Sequence, residues 1–248
     1  MNRFHRTELL LGPEAMERLQ SARVTVAGLG GVGSYAVEAL ARAGIGHLRL
    51  IDADVVSESN LNRQLFALGS TIGRVKVELA AARVRDINPR CEVEALKTYI
   101  NGETTDELLS PLPNVLIDAI DTLSPKVGLL QRALELKVPC IISSMGAANK
   151  IDAQAVRVAD LSKTRHCRLA RFIRKRLRRR GIHTGITCVY SEEKTASIEL
   201  PDELPDFEAP SKTCDGQVRA PLGSSPWLPA LFGLNAAAEA VRFLIRSE

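Results

Sequence analysis

The chain has 248 residues, 45% of them hydrophobic, enough for a full core and better suited to one α/β domain with an appended lobe than to two independent domains. The net charge of +4 excludes little, but Lys163 to Arg180 reads KTRHCRLARFIRKRLRRR without an acid and Glu192 to Glu208 is acid-rich, so the basic block is a candidate polyanion contact. The five cysteines make no CxxC pair for a zinc knuckle or redox motif, and no apolar run is long enough to span a bilayer, which reads as a soluble, cytoplasmic protein with reduced thiols.

Along the chain, Arg23 to Ala27 is a β-branched strand ending in glycine, Tyr35 to Ala43 has helical apolar spacing, and His47 to Asp54 alternates as a second strand. This βαβ unit is followed by a helix from about Val75 to Ile87 that stops at Asn88-Pro89. Next come strands near Glu92 to Leu96 and at Val115 to Ile120, a helix at Lys126 to Leu136 and a strand at Val138 to Ser143. Alternating strands and helices predict a Rossmann-like, doubly wound, mostly parallel sheet. After Gly146 the rhythm changes. Strands are expected in QAVRVAD (154–160) and ITCVYS (186–191), with the basic helix-like block between them, and Trp227 to Arg246 is expected as an amphipathic closing helix. The Pro- and acid-rich segment Leu200 to Pro210 reads as a mobile loop. The organisation expected is a single domain, with a nucleotide-binding core over 1–146 and a lobe over 147–248 that faces the substrate.

Gly28, Gly30 and Gly33 have the spacing G-x-G-x-x-G, enriched by Gly31. The first glycine permits a tight turn, the second lets backbone approach phosphate, and the third lets helix and strand pack closely. The helix N-terminus then presents N–H groups and a positive dipole end. Asp52, at the end of the second strand, stands where a carboxylate accepts hydrogen bonds from ribose hydroxyls.

The glycines alone do not separate NAD from ATP. Downstream lie Asn60, Arg63 and Gln64 in SNLNRQLF, Lys76 in GRVKVELA, and Asp118 and Asp121 in LIDAIDT. A dinucleotide keeps its pyrophosphate, whereas a triphosphate that loses pyrophosphate needs mobile charge neutralised, a task suited to Arg63 and Lys76, with Asp121 a candidate magnesium ligand. Each also has a plain structural reading: Arg63 and Lys76 as surface cations, Asp121 as the N-cap of a helix starting near Ser124. The set as a whole argues for ATP.

The segments GLGGVGS, IDADVVSESNLNRQ, GRVKVE and IDAID together resemble the ThiF/MoeB superfamily of ATP-dependent adenylating enzymes, over roughly Arg6 to Gly146. The resemblance implies phosphate contacts at Gly28, Gly30, Gly31 and Gly33, ribose at Asp52, polyphosphate handling by Asn60, Arg63, Gln64 and Lys76, catalytic roles for Arg63, Lys76 and Asp121, and Mg2+ at Asp121. Arg6 matches an arginine that reaches across a family homodimer to the partner's ATP; its plain reading is a solvated helix residue.

Sulfur-carrier activators of the superfamily typically carry two CxxC pairs, which this chain lacks. SSMGAANKIDAQAVRVADLSKT, the basic block, GITCVYSEE and GSSPWLPALFGLNAAAEAV instead resemble the tRNA threonylcarbamoyladenosine dehydratases across nearly the whole chain. That branch implies adenylation of the carboxylate of N6-threonylcarbamoyladenosine beside a tRNA anticodon, ring closure by the modification's own carbamoyl group, a homodimer and a sulfur-transfer protein as a further partner. An internal nucleophile makes an enzyme cysteine unnecessary. The alternative is adenylation of the C-terminal carboxylate of a ubiquitin-like sulfur carrier. Independently of the resemblance, the ten cations of the block (Lys163, Arg165, Arg168, Arg171, Arg174, Lys175, Arg176, Arg178, Arg179, Arg180) fit RNA phosphates, the plain alternative being a solvated helix or one paired with the acidic loop. His166 and His183 flank the block as surface histidines, Cys188 falls in a core pattern, and Cys214, in a polar loop, reads as a bystander.

Overall fold

The computed structural model describes residues 3–194 and 222–246, with the backbone of two short paired strands at Ser211–Lys212 and Val218–Arg219. The expected loop at 200–210 and Cys214 lie outside the described residues. In chain order the elements are α1 (His5–Leu11), α2 (Pro13–Ser21), β1 (Arg23–Ala27), α3 (Gly33–Ala43), β2 (His47–Ile51), α4 (Lys76–Ile87), β3 (Glu92–Leu96), α5 (Thr105–Leu108), β4 (Val115–Asp118), α6 (Leu123–Glu135), β5 (Cys140–Ser144), β6 (Val156–Asp160), α7 (Arg168–Arg178), β7 (Thr187–Ser191) and α8 (Trp227–Leu244).

The strands form one seven-stranded sheet in the order β3-β2-β1-β4-β5-β7-β6, parallel except for β6, which runs antiparallel to β7. This is the doubly wound architecture read from the sequence. Strand order reverses direction between β1 and β4, so the crevice outside their carboxyl ends is where such a sheet receives a ligand. The inner strands are apolar on both faces because both are covered. On one face Leu19, Val37, Leu40, Ala80, Val84, Phe232 and Ala236 of α2, α3, α4 and α8 close a core; on the other, Val127, Leu130, Ala133, Ile173 and Leu177 of α6 and α7 close a second. Residues beyond 146 extend the same sheet through β6 and β7, and α8 packs back along α3.

Several boundaries differ from the sequence-based expectation for local reasons. Strand β2 ends at Ile51; the Asp52 N–H still donates to Leu96 O at 3.2 Å, and beyond it the chain turns so that the Asp52 carboxylate accepts the Leu29 and Asp54 N–H groups. Helix α3 starts two residues early, directly on the glycine turn, and α6 starts at Leu123.

Joining β4 to α6 and β5 is an ion pair buried on both sides: Lys126 Nζ lies 2.8 Å from Asp118 Oδ2, and neither side chain is exposed. Ser143 Oγ donates to the same oxygen at 2.7 Å, the Ile120 N–H donates to Asp118 Oδ1 at 3.1 Å, and the ammonium also donates to the Ile120 carbonyl at 2.9 Å. Both charges are therefore hydrogen-bonded, the condition under which a buried pair is tolerated. Removing one partner strands the other. Lys126→Met is expected to destabilise the fold by about 3–5 kcal/mol in urea unfolding; a loss under about 1 kcal/mol would mean that water or relaxation satisfies Asp118 instead.

Candidate active site

The glycine turn is fixed by close approach. Gly28 has φ of 90° and donates its N–H to Ile51 O at 2.8 Å; a Cβ there would stand 2.9 Å from Ala119 O. A Cβ on Gly33 would fall 1.8 Å from Gly28 O. The turn thus wedges between the ends of β2 and β4 at the strand-order reversal. No side chain caps the N-terminus of α3, so its first-turn N–H groups and positive dipole end face the crevice.

Asp52 is tied into this turn. Its Oδ2 accepts the Leu29 N–H at 2.6 Å and its Oδ1 the Asp54 N–H at 2.8 Å. Burial pushes its carboxyl above the usual range, while the Lys76 ammonium and these N–H bonds pull it back. Lys76 is not a surface cation. It is 5% exposed, at the start of α4, with Nζ 2.9 Å from Asp54 Oδ2. An ammonium paired with Asp54 just after β2, and acting electrostatically on Asp52, is a preset positive charge near the glycine turn.

The segment after β2 packs onto the same turn. Gln64 is buried, with Nε2 3.8 Å from a Cβ placed on Gly30; Arg63 Cγ is 3.2 Å from one placed on Gly31. Arg63 Nη1 donates to Ser59 O at 2.7 Å and to Asn62 Oδ1 at 2.8 Å, which fixes the guanidinium. Asn60 shapes the loop: its Oδ1 accepts the Ser57 N–H at 3.2 Å and its carbonyl accepts from Arg63 and Gln64.

Asp121 is exposed and does not cap α6. That helix has Thr122 as N-cap without a side-chain cap bond, and the Asp121 carboxylate accepts only the Thr122 hydroxyl, at 3.1 Å, among the described residues. Among those residues no group of three or more His, Cys, Asp or Glu gathers as a metal site. Arg6 stands apart from the others. It lies exposed on α1, just after Phe4, which packs against Gly44 at the end of α3 remote from the glycine turn.

Two contributors were not read from the sequence. Lys126 orders the 118–120 corner against which Gly28 packs, and α8 places Pro229 Cβ 3.0 Å from a Cβ set on Gly31, while Asn62 Nδ2 donates to Ser224 O at 3.0 Å. The α8 contacts are long-range, and the Lys126 pair, though close in sequence, carries no motif of its own.

The basic block forms α7 preceded by a short turn. Ala170, Ile173 and Leu177 point inward, and nine of the ten cations are exposed. The exception is Arg174, which is half-buried and donates to the carbonyls of Leu161 and Thr164 at 3.0 and 3.2 Å; it holds the fold and leaves the exposed cationic face to the rest. Arg176 donates to Ser124 Oγ at 2.9 Å and Arg180 to Gln131. Arg168 and Arg171 sit 5.7 and 5.4 Å from the Phe172 ring centroid. His166 and His183 are exposed. Cys188 is a core residue, its thiol pushed up by burial, and burial pushes Cys91 and Cys140 to about 11, so none of these three is a thiolate at neutral pH.

The ThiF family pattern matches residues 4–248. The chain belongs to the ThiF family. This ThiF chain is 40% identical over 248 residues to a Bacillus subtilis protein named tRNA threonylcarbamoyladenosine dehydratase, covering 99% of this chain and 96% of that one. It is 35% identical over 251 residues to the Escherichia coli protein of the same name, covering 97% and 92%. Its fold matches the crystal structure of the E. coli dehydratase in complex with ATP with a TM-score of 0.85 at 33% identity, over 98% of this chain and 93% of that one.

The burial of Lys76 generates a two-part expectation. Lys76→Ala is expected to lower ATP-dependent kcat by roughly 100- to 1,000-fold, because a fixed cation beside a departing polyphosphate is lost. It should also lower the melting temperature, because Asp54 and Asp52 lose their counter-charge. A parent-like kcat at saturating ATP would reassign Lys76 to a purely structural pair.

Proposed function

We propose that the chain is an ATP-dependent tRNA threonylcarbamoyladenosine dehydratase: the threonyl carboxylate of N6-threonylcarbamoyladenosine beside the anticodon takes AMP, and the modification's own carbamoyl group closes the ring. The observation that carries this reading is the similarity, over nearly the full length of both partners, to proteins named for that activity, one of them solved with ATP. Adenylation supplies the chemistry, turning a poor carboxylate leaving oxygen into a good one.

The residues divide the work by place. Gly28, Gly30, Gly31 and Gly33 would admit phosphate to the free end of α3, and Asp52 would accept from ribose hydroxyls. Lys76, Arg63, Gln64 and Asn60 would bind and neutralise the polyphosphate. Mg2+ fits the exposed Asp121 carboxylate: this ion commonly takes one or two protein carboxylates and leaves the rest of its shell to phosphates and water. Residues 1–146 would thus act on the nucleotide and 147–248 on tRNA, whose phosphates would meet the exposed face of α7. A homodimer would bring Arg6 of one subunit to the other's ATP, a reach its place on α1 does not allow within one chain. A cytoplasmic setting and a sulfur-transfer protein partner complete the proposal.

The experiment is incubation with modified tRNA, ATP and Mg2+ followed by nucleoside mass analysis. Loss of one water from N6-threonylcarbamoyladenosine is expected. In a second arm, Ser at Lys175, Arg178 and Arg179, whose exposed side chains make no hydrogen bond to a described residue, should raise KM for tRNA and leave KM for ATP unchanged. Unchanged nucleosides, with AMP transferred instead to a carrier protein's C-terminus, would replace this reading by sulfur-carrier activation.

A further inference from the structure

Beyond the nucleotide crevice, the same sheet edge carries an exposed apolar surface that none of the assignments above uses. Trp227, the chain's single tryptophan, opens α8 and is 48% exposed; Ile151 is 70% and Leu222 66% exposed. Large apolar side chains grouped on a surface mark a contact site. These three are held together by a ladder of bonds between the segment following β5 and the segment preceding α8. The Asn149 N–H donates to Gly223 O at 2.8 Å, Ser225 Oγ donates to Lys150 O at 3.3 Å, and Trp227 Nε1 donates to Ile151 O at 2.9 Å. From beneath, the buried Lys150 ammonium donates to Ser191 O at the carboxyl end of β7, at 2.8 Å, which anchors the segment to the sheet.

The indole is therefore oriented rather than loose. Its one polar atom is committed to Ile151, and its exposed area remains for a partner. The neighbours say which partner. Ser224, three residues before it, accepts from Asn62, next to Arg63, and Pro229, two residues after it, touches the Gly31 position. So the segment that leads into α8 is tied to the loop of Arg63 and to the glycine turn, and the exposed indole stands at the start of that helix. On its other side the Asn149–Ile151 segment continues from Gly146, which lies 3.9 Å, through a Cβ placed on it, from Cys167 Sγ at the start of the cationic α7. A flat exposed apolar side chain on a segment tied to the loop of Arg63, and through residues 146–151 to the start of a basic helix, suits a nucleobase, whose π-face stacks on an aromatic ring while its backbone meets cations.

We infer that Trp227, with Ile151 and Leu222, is the stacking platform that receives the adenine ring of the tRNA nucleotide whose side chain reacts, positioning its carboxylate toward the ATP site. The inference rests on the tRNA reading proposed above. An enzyme that acts on a nucleotide in a loop has to take the base out of its stack and hold it, and an aromatic face supplies that hold. Trp227 is thus a positioning residue for the RNA substrate and has no part in ATP binding.

Because the chain has one tryptophan, its indole emission reports on this position alone. Titrating the full-length protein with an anticodon stem–loop bearing N6-threonylcarbamoyladenosine should quench that emission, while ATP with Mg2+ should leave it unchanged. In steady-state kinetics Trp227→Leu should raise KM for tRNA by about tenfold with KM for ATP unchanged, and Trp227→Phe, which keeps a stacking face but loses the Nε1 donor, should stay within about twofold of the parent. Equal losses in the Phe and Leu variants would overturn the inference in favour of the hydrogen bond to Ile151 alone. Quenching by ATP without further change from the stem–loop would overturn it in favour of an ATP contact. The two levels separate cleanly. A parent enzyme that dehydrates the modified tRNA without any change in emission removes the platform and leaves the function standing, whereas a parent that does not act on modified tRNA removes both.

Discussion

The contact between the Gly33 Cα and the Gly28 carbonyl is the constraint from which the crevice follows. A methyl group at position 33 would sit 1.8 Å from that oxygen, so no side chain is compatible with the turn. That closeness makes α3 start directly from the tight turn of residues 28–32, points its uncapped N-terminus at the strand-order reversal, and lets Gly28 lie against Ala119 at the end of β4. Once the turn is so tight, the surrounding charges have fixed places to occupy. Asp52 reaches back to Leu29, Lys76 pairs its ammonium with Asp54, and Arg63 lies along Gly31.

The second half of the chain is coupled to this turn and is not merely attached beside it. Strand β7 adds to β5 in parallel, so Ser191 and Lys150 finish at the same sheet edge as the glycines, and α8 returns along α3 to put Pro229 against Gly31. The buried pair of Lys126 and Asp118 stiffens the corner between them. For a carboxylate delivered on a large polyanion, the proposed nucleotide site, base-holding surface and cationic face would all be carried by one continuous sheet and the helices on it.

Much of this was legible because it is written in local chemistry. The glycine spacing between a strand and a helix, the short β-branched and apolar segments of β1, β4 and β5, and the acid-free stretch that becomes α7 each state their structure without reference to distant residues. What was not legible depends on tertiary contact. A lysine is read as exposed by default, so the burial of Lys76, Lys126 and Lys150 left no trace in composition or period. The same default hid the inward turn of Arg174 within a block that otherwise faces water. Helix α2 was missed, and α1 was met only in the plain reading of Arg6 as a helix residue, because it is short and leaves Leu9 and Leu10 exposed, so no clean amphipathic period marks it.

The central claim is that the carboxylate that takes AMP is carried on tRNA, and isotope exchange between labelled pyrophosphate and ATP reads that step before any ring closes. The account predicts exchange that depends on tRNA bearing N6-threonylcarbamoyladenosine and is absent with the same tRNA lacking the modification. Exchange supported by a carrier protein's C-terminus, and indifferent to the modified tRNA, would contradict it.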